Sequence, residues 1–473
     1  MKKTIPAPEI AEHNTPSDMW IVVHGRVYDV TAFAPEHPGG ADIINAHAGR
    51  DASHIYNSVH PPSLLSELNA HYLGDLDPAT IPAEWTQPAQ ATSQTSTALE
   101  DILNLDDFER AAEHALTPKA WAYVNGAAND NVTRDANRRY FADIWFRPAI
   151  MRNVKTVSTR TSLFGCTLDI PVYITPVGAA RLVHEEGELV WARAAAASGI
   201  VHCISTASSY PLGEILDATP KRAFYQLYIN VTRSKTEALV RQAEGSGKVS
   251  ALVVTADLPV MSKREADERT TFTGNEKAFP QASPGKRSTG VARSNSAFID
   301  STLNWDDLHW LRGITALPLV LKGVQRAEDA RKAAALGFDG IIISNHGGRA
   351  ADTAAPSILV LREIHKYAPE VFRHTKVLID GGFRRGSDVV KAVCLGVAAV
   401  GIGRPFTYAL QYGQDGVEHA VDVLRDEIQT AMQLIGMTDL MRDADPRYLN
   451  LAMIDSLLPP DYDSMGGGLK VKL

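Results

Sequence analysis

Gly340-Ile341-Ile342-Ile343-Ser344-Asn345-His346-Gly347-Gly348-Arg349 is the stretch on which the fold turns. A short run of β-branched residues reads as a strand buried on both faces. The run breaks off into amide, imidazole, two glycines and a guanidinium, so the strand carries its chemistry at one end. The pattern recurs on either side. Apolar runs near 171–176, 201–205, 223–228, 251–256, 318–322, 340–344, 376–380 and 398–402 alternate with helical stretches such as Gly187–Ser198, Ser234–Glu244, Ala327–Leu336 and Ser387–Leu395. Eight strands alternating with helices predict an α/β fold, the (β/α)8 or TIM barrel.

Active sites in that architecture gather at the C-terminal ends of the strands. The third run ends in Gln226-Leu227-Tyr228, the fourth in Thr255-Ala256-Asp257 and the fifth in Lys322-Gly323. The seventh ends in Asp380-Gly381-Gly382-Phe383-Arg384 and the eighth in Gly401-Ile402-Gly403-Arg404-Pro405. Packing alone would scatter polar residues over both ends, so their convergence predicts a functional rim. The last two ends are glycine-rich and each carries an arginine. Exposed backbone N–H groups ahead of a helix bind phosphate.

The chain has 473 residues, 45% hydrophobic and 22% charged, enough for more than one core. A formal net charge of −8 gives no hint of nucleic-acid binding. No apolar stretch is long enough to cross a bilayer. Cys166, Cys203 and Cys394 are widely spaced in apolar or small-residue surroundings and read as buried free thiols. Met1–Glu12 shows neither an apolar core nor an arginine-rich amphipathic pattern, which points to the cytoplasm. Val471-Lys472-Leu473 resembles a peroxisomal signal only loosely.

Residues 78–100 mix proline with Ala, Thr, Ser and Gln and read as a flexible tether. It divides a small unit, 1–77, from a large one, 101–473. A second polar stretch, Thr270–Ser296, reads as a mobile surface loop. The small unit holds four basic against ten acidic residues, net −6. That imbalance attracts a basic partner and equally keeps the unit in solution. In it, Trp20–Thr31 has two apolar runs around His24-Gly25, a hairpin signal. His37-Pro38-Gly39-Gly40 and His60-Pro61-Pro62 mount two histidines on turns, and two imidazoles from opposite faces suit one heme iron.

Those turns, with Ala48-Gly49-Arg50-Asp51-Ala52 and Tyr72-Leu73-Gly74-Asp75-Leu76, resemble the cytochrome b5 family throughout. The resemblance implies a small α+β domain binding heme b through His37 and His60, with His47, His54 and His71 off the ligand positions. Two imidazoles fill both axial sites, so the module is expected to relay electrons. Ser344–Arg349, Asp380–Arg384 and Gly401–Pro405 resemble the signature segments of the FMN-dependent 2-hydroxy-acid dehydrogenases and oxidases, with similarity from about Asp107 to Met437. The pair of domains resembles the heme-bearing members of that family.

That second resemblance implies residue roles. His346 takes a proton from substrate, and Asp257 holds the imidazole and favours its charged form. Arg264 and Arg349 clamp the substrate carboxylate, while Tyr123 and Tyr228 hydrogen-bond the substrate. Lys322 lies by the flavin ring, and Gly178, Ser205, Gln226, Thr255 and Ser344 border it. Asp380, Gly381, Gly382, Arg384, Gly403 and Arg404 hold the ribityl phosphate. The implied partners are a small 2-hydroxy acid and an acceptor such as cytochrome c, whose home in the mitochondrial intermembrane space is the alternative compartment. A homotetramer is implied by the family alone.

Three departures bear on the substrate. Gly178 stands where relatives usually have alanine, Ala207 where the lactate enzyme carries leucine, and Val124 where a second aromatic is common. Each change removes volume, so a roomier pocket is expected, one that takes aromatic or branched 2-hydroxy acids alongside or instead of lactate. Two other readings compete: an oxidase delivering electrons to oxygen, and a non-catalytic heme or flavin sensor. The intact set His346, Arg349, Arg264 and Asp257 argues against the sensor.

Overall fold

A computed structural model describes residues 3–37, 41–82, 85, 97–270 and 298–461. The Pro38–Gly40 turn, most of the tether, nearly all of the polar stretch 270–296 and the tail beyond 461 lie outside them.

Eight strands close into a parallel barrel: β1 (Val172–Ile174), β2 (Val201–Ile204), β3 (Ala223–Leu227), β4 (Val249–Thr255), β5 (Leu319–Val324), β6 (Gly340–Ile343), β7 (Lys376–Asp380) and β8 (Ala399–Ile402), with β8 pairing β1. β1 is shorter than its apolar run because Pro171 and Pro176 bracket it and cannot donate to a ladder. Side chains alternate along each strand. Tyr173, Val201, Cys203, Phe224, Ala251, Val253, Val320, Ile342, Leu378 and Ala399 fill the interior. The hairpin Thr161–Leu163/Cys166–Leu168 adds Leu163 and Leu168 to that cluster. Val172, Ile174, Ile204, Leu252, Val254, Ile341, Ile343 and Val400 belong instead to the larger core shared with the surrounding helices.

The same period of two positions the site. Two residues beyond Cys203, Phe224, Val253, Val320, Ile342 and Leu378 come Ser205, Gln226, Thr255, Lys322, Ser344 and Asp380, all buried. Six inward-facing interior positions thus hand six polar groups to one mouth. Cys166, Cys203 and Cys394 are free and buried.

The small unit is a six-stranded sheet with short helices. Asp18–Val23 and Arg26–Asp29 pair antiparallel with Val23 opposite Arg26. His24 (φ 51°) and Gly25 (φ 72°) form the two-residue turn with both centres left-handed, as the right-handed twist of a hairpin demands. The helix Ser53–Val59 runs directly into His60, whose N–H caps it on the Tyr56 carbonyl. Among the described residues, no helix is long and apolar enough to cross a membrane.

Candidate active site and heme site

His346 leaves β6 in the left-handed region (φ 59°), followed by Gly347 (φ 63°) and Gly348 (φ 80°). Such a turn is costly for a residue with a Cβ and must be held from outside. Asn345 holds it: its side-chain oxygen accepts from Gly348 N at 3.0 Å, and it exchanges amide hydrogen bonds of 2.8 and 2.9 Å with buried Asn137. The His346 N–H donates to Ser344 Oγ at 3.0 Å.

The imidazole is aimed by its neighbours. Nδ1 lies 2.9 Å from Asp257 Oδ1, and Nε2 lies 3.5 Å from the Tyr228 hydroxyl. Lys322 Nζ sits between two buried carboxylates, 3.6 Å from Asp257 and 3.7 Å from Asp380. It also donates to Ser344 Oγ at 3.0 Å, which in turn donates to Asp380 at 2.6 Å. On the other side Ser205 Oγ donates to Gln226 Oε1, and Gln226 Nε2 to Thr255.

Burial pushes the His346 pKa down to about 4, with the Lys322 charge acting in the same direction. Asp257 does pull it upward, as the sequence reading expects, but the two opposing effects outweigh that pull. The resting imidazole is therefore neutral, the state a base requires. Burial pushes Asp257 up, yet Lys322 and His346 hold its carboxyl below the usual range. Lys322 is desolvated, but Asp257 and Asp380 keep its pKa raised and its charge in place.

Arg349 is moored on backbone: Nε donates to the Gly126 carbonyl and Nη2 to those of Tyr123 and Val124. Burial, then the neighbouring Arg264, push its pKa down to about 10, so the Arg349 guanidinium is cationic at neutral pH. Arg264 Nη2 reaches Met261 Sδ at 3.2 Å, and its buried Nε has no hydrogen-bond partner among the described residues. The Tyr123 hydroxyl donates to the Gly178 carbonyl at 3.3 Å.

Two cavities adjoin at Pro176, Val177, His346, Arg349 and Arg404. The first runs past Lys322 to Asp380–Arg384 and Gly401–Pro405. The second is walled by Tyr123, Gly178, Ala207, Tyr228, Met261, Arg264 and Ile299. A Cβ on Gly382 (φ 88°) would lie 2.1 Å from the Asn137 carbonyl oxygen, and one on Gly403 2.8 Å from Thr175 Oγ1. The glycines are what bring backbone this close, and the resulting cradle, with a buried lysine at its floor, fits a flavin mononucleotide.

The structure refines two expectations. Arg384 sits in the cradle but is ion-paired to Glu109 at 2.7 Å and lies 3.4 Å from Asp106. Arg404 points its donors at the Val124, Gly126 and Gly347 carbonyls. Arg134 and Arg138 line the same cavity and escape the sequence reading, although their spacing of four on a polar helix, Val132–Arg139, places them on one face. Met261 and Ile299 are likewise missed, since apolar wall residues carry no chemical signal.

In the small unit the His37 and His60 rings lie 5.8 Å apart, tilted 51°. His60 stacks on Tyr56 at 4.8 Å, and its buried Nδ1 has no hydrogen-bond partner among the described residues. Burial and then His37 push the His60 pKa down to about 4, which leaves the neutral ligating form. Phe33, Ile43, Tyr56 and Leu65 give the surroundings an apolar character. Two facing imidazoles in an apolar slot fit heme b. Among the described residues no group of three or more His, Cys, Asp or Glu is placed to hold a metal ion, and an iron held by porphyrin needs only two.

Fold, rim and paired histidines define a flavin-dependent barrel oxidoreductase carrying a cytochrome module. The family model for FMN-dependent dehydrogenase matches residues 112–450, and that for the cytochrome b5-like heme/steroid binding domain matches 7–77. The chain belongs to the FMN-dependent dehydrogenase family, and its cofactors are FMN and heme b. It is 39% identical to the L-lactate dehydrogenase (cytochrome) of Saccharomyces cerevisiae over 96% of this chain and 80% of that one. A leucine-to-alanine variant of flavocytochrome b2 with benzoylformate is 38% identical at a TM-score of 0.70, covering 81% of this chain and 96% of the other. Mandelate oxidase with (S)-4-hydroxymandelic acid is 35% identical at 0.67, covering 74% and 98%.

Proposed function

We propose that this chain oxidises an L-2-hydroxy acid, lactate or a bulkier analogue, to the 2-oxo acid and passes the electrons through its heme to a one-electron acceptor such as cytochrome c. The observation that carries this reading is the meeting of His346, Arg264, Arg349, Tyr123 and Tyr228 around one cavity beside a flavin-shaped cradle, with Asp257 behind the imidazole. The planar carboxylate of the substrate takes the two guanidiniums. Tyr123 and Tyr228 orient the hydroxyl, and His346 Nε2 removes a proton while Asp257 fixes the ring and stabilises the imidazolium formed. The oxidation removes two electrons and two protons. FMN, when bound, accepts the electron pair. Lys322 presents a fixed cation beside it, Ser205, Gln226, Thr255 and Ser344 supply polar contacts, and the 380–384 and 403–404 segments with Arg134 and Arg138 hold the phosphate.

The size preference rests on Gly178 and Ala207. A Cβ on Gly178 would lie 2.6 Å from the Ala207 oxygen and 2.9 Å from its Cβ. The two small residues therefore pack on each other, and the room gained comes from truncation at Ala207. The benzoylformate held by the leucine-to-alanine variant is an aromatic 2-oxo acid. We expect kcat/KM for L-mandelate to exceed that for L-lactate, and Ala207→Leu to lower the mandelate value by about 10–100-fold. An equal or higher value for lactate in the unaltered protein contradicts the preference.

We read the chain as a heme module over 1–77, a tether over 78–100 and a barrel domain over 101–473. A homotetramer is supported by the exposed Trp145, Ile150, Met151 and Leu434, of which the last three are brought close by the Ala149 N–H on the Ile435 carbonyl. Sedimentation velocity should show a single species near four times the chain mass; a monomer at micromolar concentration refutes it.

A further inference from the structure

The loop that borders the substrate cavity also grips the heme module. Three residues beyond Gly178, Arg181 lies in a short turn, Ala180–Leu182, that follows left-handed Ala179 (φ 57°). Its Nε and Nη2 both donate to the Asn57 carbonyl, at 3.2 and 2.8 Å. Asn57 is in the last turn of the Ser53–Val59 helix, three residues before His60, where carbonyls have no partner within the helix.

Both ends of the contact are stiff. Arg181 Nη1 donates to the Tyr210 hydroxyl at 2.9 Å, and its guanidinium lies 5.4 Å from that ring's centre. The Tyr210 hydroxyl donates on to the Glu185 carbonyl at 3.0 Å. Behind the turn, the buried Glu188 carboxylate accepts from Ala180 N at 3.1 Å and Ser209 N at 2.9 Å, tying the first and second strand-to-helix loops together. On the heme side, the Asn57 side chain meets His24 Nε2 at 2.6 Å. A planar fork with one nitrogen braced on tyrosine and two on one carbonyl fixes direction as well as distance.

We propose that Arg181 is a positioning residue that docks the heme module on the barrel mouth and so sets the rate of flavin-to-heme electron transfer. Each crossing takes one electron from reduced flavin to ferric iron. Two crossings, with the external acceptor reoxidising the iron each time, discharge the pair taken from one substrate, and two protons go to solvent. Arg181 touches none of the groups assigned above to substrate, so docking and chemistry separate experimentally. The proposal rests on the flavin-to-heme route above, and flavin bleaching tests that reading independently.

The experiment uses the full-length holoprotein with Arg181→Ala and Arg181→Lys. Hydrogen exchange without substrate reads docking, and anaerobic stopped-flow with L-mandelate reads flavin bleaching and heme reduction separately. Arg181→Ala should raise deuterium uptake at both 53–60 and 180–182. It should leave flavin bleaching within twofold and slow heme reduction by at least about tenfold. Arg181→Lys, keeping the charge but not the fork, should fall between. Unaltered heme reduction, unaltered exchange at 53–60, or flavin bleaching slowed in parallel with heme reduction would each overturn the proposal. If Arg181→Ala fails to fold, Arg181→Lys decides by the same three readings.

Discussion

His346→Gln should retain its yellow colour and its heme yet bleach about 10²–10⁴-fold more slowly with any 2-hydroxy acid, the range that loss of a positioned base commands. Tyr228, the neighbour of Nε2, is driven by burial well above its usual pKa and cannot take the proton. The pH profile carries the sign. With the His346 pKa down near 4, the base is deprotonated throughout the ordinary range. We expect kcat/KM for the free enzyme to be flat from about pH 5.5 to 8 and to fall only as the pH drops toward 4. An acid limb centred near an ordinary histidine value of about 6.5 would show that burial and Lys322 do not control this ring.

The second large effect lies in the other module. His60→Ala should yield a protein without heme absorbance, because one remaining imidazole cannot fill both axial positions. Flavin bleaching by substrate should stay within about twofold, since Tyr56, on which His60 stacks, packs against a core separate from that of the barrel. Reduction of cytochrome c should fall by about 100-fold or more, limited by whatever direct path the flavin retains. Absorbance of the purified variant, followed by the two assays, checks this. Heme retained at full occupancy would remove His60 from the ligand pair.

The barrel and its rim were legible because both follow from a period of two. Val320 inward makes Lys322 inward, and Leu378 makes Asp380 inward, so the polar set could be read once the strands were placed. The hairpin at His24-Gly25 was legible for a similar reason, since a two-residue turn between apolar runs leaves few geometries. Other features depend on distant packing. Asn137 supports the His346 turn from 208 residues away along the chain, and nothing local marks it. Arg181 looks like any surface arginine until the small unit is docked against it. The 23-residue helix Gly413–Ile435, ended by Gly436 at φ 78°, follows the last barrel strand, so no succeeding strand brackets it in the sequence. Gly178 was read as empty volume, whereas it is a contact surface for Ala207.

The flavin-to-heme route stands or falls on the order of two colour changes in a single anaerobic mixing experiment with L-mandelate. Flavin absorbance should bleach first, and the heme bands should sharpen to the ferrous form afterwards, in proportion to the electrons released. A flavin that stays oxidised with mandelate and lactate alike, or an iron that stays ferric while the flavin is fully bleached, would contradict it.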